Sequence, residues 1–108
     1  MKRNTIISIY HELNRDCFNG LLTMPAIRAS RSEGERGSYL EAHKKARAIM
    51  FYNPRNSYLM ARTIVYHEMV HQFLAEIMQI TEDNHHGAIF WETYVQFAPK
   101  YGKAFLWI

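Results

Sequence analysis

The longest helical pattern in the chain runs through "YLMARTIVYHEMVHQFLAEIMQI". Tyr66, Met69, Val70, Phe73, Ile77 and Ile80 recur every three or four residues, which draws one wide apolar stripe on an α-helix. A helix over roughly 57–79 is expected, opened by Pro54 with Asn53 or Asn56. Such a stripe has to be covered, so the other elements must pack around it. The same stretch carries His67, Glu68 and His71, ionisable groups that need partners wherever they are enclosed.

The rest of the chain supplies that cover. In "NTIISIYHELNRDCFNG", Ile6, Ile9, Tyr10, Leu13 and Cys17 stand at helical spacing and Asn19-Gly20 ends the pattern, so a helix is expected over 5–18. Three short segments of strand character come next: "AIRAS" (26–30), "GSYLEA" (37–42) and "RAIMFYN" (47–53). Turn-prone runs separate them, which suggests a small antiparallel sheet or meander. After the long helix, "TEDNHHG" reads as a loop, and "AIFWETYVQFA" as a shorter helix ending at Pro99. The tail "YGKAFLWI" is expected to fold back, because Phe105, Leu106, Trp107 and Ile108 together would expose an unusual apolar patch. The fold class is therefore α+β: an N-terminal helix, a three-stranded antiparallel sheet, a long helix and a shorter one.

At 108 residues the chain has the size of one domain, 1–108, with 48% hydrophobic and 21% charged residues, ordinary for a soluble globule. Charge interrupts every apolar run before the roughly 20 residues that a membrane span needs. His11, Glu12 and Arg15 break the apolar N-terminal region, which argues against a signal peptide. The one cysteine, Cys17, excludes an internal disulfide framework and a Cys-rich zinc ribbon. It is expected to be a buried, inert thiol in a protein of the reducing cytoplasm.

The motif H-E-x-x-H, read here as His67-Glu68-Met69-Val70-His71, has a geometric meaning. Residues four apart share a helix face, so both imidazoles can reach a single ion about 2 Å from each ring nitrogen. Glu68 stands about 100° further round the helix, beside the position left open for water. A catalytic zinc site needs a third protein ligand and an open position. The extended form with Gly and His further along the helix fails, because positions 74 and 77 are Leu and Ile. Three residues compete for the third place: His86 first, then Glu92 on the following helix, then His85. His86 is favoured because the glycine after it lets the chain turn inward at a loop-to-helix junction.

Taken together, "CFNGLLTMPAI", "GSYLEA", "RAIMFYN", "YHEMVH" and "HGAIFW" resemble the SprT-like (Spartan) metalloprotease domain in order and spacing over roughly residues 8–98. The resemblance implies a minimal zincin-like fold and a zinc-dependent endopeptidase. It places His67, His71 and His86 at the ligand positions, Glu68 at the catalytic glutamate, and Gly87 and Phe90 at the positions flanking the third ligand. It also implies an association with DNA, because eukaryotic members digest proteins crosslinked to it. Many relatives carry a C-terminal Cys-rich ribbon or DNA-binding tails; the single Cys17 of this chain cannot build such a ribbon.

Charge fits such a partner. Before His67 there are eleven Lys and Arg against five Asp and Glu, a balance of +6, and from His67 onward two against five, a balance of −3. Arg28, Arg31, Arg36, Lys44, Lys45, Arg47 and Arg55 fall among Tyr39, Phe51 and Tyr52, a mixture suited to gripping single-stranded backbone and bases. Tyr94, Tyr101 and Arg62 are candidate donors to a developing oxyanion, though each also suits a packing or surface role. Two other function classes fit the same residues: a zinc-stabilised, catalytically weak module that binds DNA or protein, and a metal-free DNA-binding or scaffold domain.

Overall fold

A computed structural model describes residues 1–30, 37–40, 47–80 and 86–98. Its elements follow the order α1 (Arg3–Phe18), β1 (Ala26–Ala29), β2 (Gly37–Leu40), β3 (Ile49–Tyr52), α2 (Tyr58–Glu76) and α3 (Ala88–Phe97). The expected tail contact at 101–108 lies outside the described residues, as does the loop at 81–85.

Helix α1 buries the stripe expected from its spacing: Ile6, Ile9, Tyr10, Leu13 and Cys17, with Phe18 added. It stops where Asn19 and Gly20 both take positive φ, at 52° and 70°. The Gly20 N–H then reaches the Asn14 carbonyl at 2.8 Å, which satisfies an orphan acceptor of the last turn. The Asn14 side chain clamps the segment leaving the helix, its amide donating to the Leu22 carbonyl and its oxygen accepting from the Leu22 N–H.

The sheet is mixed, not antiparallel as expected. Its order is β1-β3-β2, with β1 parallel to β3 and β2 antiparallel to β3. Ala26 to Ala29 stand beside Ile49 to Tyr52, and Gly37 to Leu40 run opposite Tyr52 to Ile49. The physical reason lies in burial. "IMFY" is the most continuously apolar of the three segments and takes the centre, with Met50 and Tyr52 buried. A meander would instead put β2, whose Leu40 is exposed, in the middle.

Helix α2 is enclosed on nearly every side, by α1, the sheet and α3. Twelve of its residues are buried, from Ala61 to Leu74. Ser57, rather than the asparagines, caps its start, its hydroxyl accepting from the Met60 N–H at 3.2 Å. It ends at Glu76, earlier than the apolar spacing suggested. The chain breaks away through Gln79 at φ 54°, and the Ile80 N–H closes on the Leu74 carbonyl at 2.9 Å. Ile77 is consequently exposed, although the spacing had placed it in the stripe.

An aromatic seam joins the helices. The Phe18 ring lies 5.8 Å from those of Tyr66 and Phe73 and 5.6 Å from that of Phe97. At the other side of α2, Gly37 brings the edge strand β2 against the helix. A Cβ at Gly37 would overlap the branched methyl of Ile64 and stand 3.1 Å from the Phe51 carbonyl oxygen. Ile64 is β-branched within a helix and cannot easily rotate away. Gly37→Ala is expected to cost about 1–3 kcal/mol of stability, read from chemical denaturation.

Candidate metal centre

Two elements bring three imidazoles to one point. His67 and His71 come from consecutive turns of α2. His86 comes from the turn that leads through Gly87, the N-cap of α3, into the last helix. Ring centroids are 5.1 Å apart for His67 and His71, 4.9 Å for His67 and His86, and 5.2 Å for His71 and His86. The Nε2 atoms of His67 and His86 face each other at 2.9 Å. One ligand nitrogen from each ring lies within 4.8 Å of the others, close enough to hold a metal ion. Tetrahedral zinc with bonds of about 2.0–2.1 Å sets its nitrogen donors roughly 3.3 Å apart, so these rings fit the ion with small adjustments. His67 and His71 are more enclosed than His86, which leaves the site open toward solvent on the His86 side.

His86 thus occupies the place the sequence left to three candidates. Glu92 is exposed on α3 and does not join the cluster. His85 lies outside the described residues.

Beneath the imidazoles lies one phenyl ring. Phe90 is fully buried, with its centroid 4.5 Å from His71, 4.8 Å from His67 and 5.1 Å from His86. Trp91 flanks His67 at 6.4 Å and His86 at 6.2 Å. An apolar floor of this kind restricts ring rotation and keeps water from the inner side of the donors. Spacing alone did not assign this floor: Phe90 and Trp91 follow His86 closely, but only the start of α3 at Ala88 turns them toward α2. The docking of α3 is secured by the Tyr66 hydroxyl, which donates to the Tyr94 carbonyl at 2.5 Å, and by the two rings at 4.7 Å.

Glu68 follows His67 on α2 and is 8% exposed. It borders a small cleft between α2 and the sheet, lined also by Met50, Tyr52, Asn56, Ile64 and Val65. It is not among the three groups that converge.

The candidate oxyanion donors separate clearly. Tyr94 is buried, and burial holds its phenol up at about 12, so it stays neutral and packs against His67 at 6.3 Å. Arg62 is buried toward α1 and ion-pairs with Glu12 at 3.1 Å. Tyr101 lies outside the described residues. Cys17 is the buried thiol expected, pushed up to about 11 by desolvation.

Of the basic set, Arg28, Arg47 and Arg55 are exposed, while Arg31, Arg36, Lys44 and Lys45 lie outside the described residues. Tyr39 and Phe51 are half-buried, but Tyr52 belongs to the core and is too enclosed to stack on a base. Among the described residues no helix is long and apolar enough to cross a membrane. No family model, curated protein or solved structure matches the chain.

Zinc at about a hundred times its Kd should add about 2.7 kcal/mol, which raises the Tm by roughly 10 °C for a chain of this size. His86→Ala is expected to abolish that increment. Phe90→Leu keeps the donors but loosens their floor, and about a tenfold weaker zinc affinity is expected in a chelator competition.

Proposed function

We propose that the chain is a zinc-dependent endopeptidase, with His67, His71 and His86 as metal ligands and Glu68 as general base. The observation that carries this is the convergence of three imidazoles from two elements, with a glutamate following the first of them in sequence on the same helix. Three neutral imidazoles form a donor set suited to zinc, and a catalytic site needs only three protein ligands. When bound, zinc supplies a Lewis acid that polarises the scissile carbonyl and lowers the pKa of water toward 7.

The protein's own groups do the rest. The Glu68 carboxylate takes the proton of the attacking water and passes it to the leaving amine. Its nearly complete burial keeps bulk water from competing for that proton. Phe90 and Trp91 hold the imidazoles in register and leave the outer side of His86 for the substrate.

The SprT-like resemblance of residues 8–98 suggests the substrate class: proteins bound or crosslinked to DNA. Exposed Arg28, Arg47 and Arg55 support a phosphate contact. A single buried thiol supports a cytoplasmic setting. Burial of Glu68 also favours a second reading, a zinc-stabilised module that binds DNA or protein and turns over weakly.

One variant separates the two. Glu68→Gln is expected to keep stoichiometric zinc by elemental analysis while cleavage of an unfolded protein falls by at least about a hundredfold. Unchanged cleavage would remove Glu68 as the general base, and no cleavage by the parent protein would leave only the binding module. Affinity for a single-stranded oligonucleotide should fall steeply with salt, and Arg28→Ala should lower the log–log slope by about one. A salt-independent affinity would remove DNA as a partner.

A further inference from the structure

A second concave site lies beyond the metal centre, at the C-terminal end of α2. Its cavity, about 420 Å³, is walled by Met24, Pro25, Tyr39, Ala48, Ala75 and the stem of Arg47. That volume falls in the range of small-ligand pockets. Resting on the hydrolytic reading above, we infer that this cavity receives a bulky apolar side chain of the peptide substrate, within about three residues of the cleaved bond.

Position along α2 sets the reach. Ala75 is seven residues beyond Glu68, nearly two full turns, so the two face almost the same direction about 10 Å apart. It is four residues beyond His71, about 6 Å along the axis. An extended peptide advances about 3.4 Å per residue, so those spans correspond to two or three residues. Tyr39, on the opposite wall, belongs to β2, which among the described residues pairs with β3 alone. The cavity wall at Ala75 and the imidazole of His71 lie one turn apart on the same helix.

The chemistry of the walls sets the kind of occupant. The two charged groups at the cavity, Glu76 and Arg47, are already engaged. Both Glu76 carboxylate oxygens accept hydrogen bonds, from the Thr23 N–H at 3.0 Å and from the Gln72 amide at 2.9 Å. The Gln72 amide also donates to the Thr23 carbonyl at 2.7 Å, and its oxygen accepts from the Tyr10 hydroxyl at 2.8 Å. Gln72 is fully buried, so its bond to Tyr10 is shielded from water and anchors the cavity's back wall, while the Thr23–Glu76 end of the network meets solvent. Arg47 donates to the Met24 carbonyl at 3.0 Å, which lays its aliphatic stem along the rim. What remains for an occupant is apolar surface, and a Leu, Met or Phe side chain satisfies it at no cost in polar pairing.

The test uses the zinc-loaded full chain and two probes. N-acetyl-leucinamide, which has no internal peptide bond to another residue, is titrated while amide resonances are followed. Shifts at Ala48 and Ala75 are expected, and their loss in Ala75→Phe and in Ala48→Leu, which fill the cavity from opposite walls. Peptides carrying Gly, Leu or Phe at each of three positions on either side of the cleaved bond give kcat/KM ratios. At least a roughly tenfold preference for Leu or Phe at one position is expected, collapsing toward one in Ala75→Phe. Cleavage with no such preference overturns the inference and leaves the hydrolase intact. No cleavage, with probe binding still blocked by both variants, removes the hydrolase and keeps the cavity as a site for apolar side chains. No probe binding by the parent chain, or a concentration-dependent dimer abolished by Ala75→Phe, overturns the cavity assignment.

Discussion

Because α2 lies under α1, the sheet and α3, each polar side chain on it must meet a partner or open into a cleft. That requirement sorts its polar residues by direction. Arg62 meets Glu12 of α1, Gln72 meets Tyr10 and Thr23, and the imidazoles of His67 and His71 meet His86. A helix that could face water on one side would impose none of these pairings.

The site is consequently a product of how α3 docks. His86 has no periodic relation to His67 and His71. It arrives beside them because α3 begins right after Gly87 and is fastened through Phe90, Tyr94 and Phe97. The three imidazoles and the aromatic core therefore share contacts: the ring that supports the imidazoles belongs to the face that anchors the helix. Loss of packing in α3 should for that reason also part the three imidazoles.

The two clefts beside α2 differ in construction. At Glu68 the walls are core residues and the space is narrow. At Ala75 the walls include two alanines and a proline and the back is a hydrogen-bonded network, and a cavity persists. Alanine at positions 48 and 75, where a larger residue would fill the gap, is what makes the difference.

Much of this was legible in the linear chain. The stripes of α1 and α2, the helical face shared by His67 and His71, and the preference for His86 all rest on 3.6-residue periodicity or on neighbours in sequence. Local geometry is sufficient for such features. The parallel pairing of β1 with β3, the early end of α2 at Glu76 and the Ser57 cap were not legible, because competing local signals were nearly equal. Choosing among them depended on which segment buried most against the others. The sequence by itself determined which side chains can bind a metal and which helix presents two of them. Only the tertiary structure decided that a third imidazole meets them over Phe90, because convergence of distant residues is set by the packing of whole elements rather than by spacing along the chain.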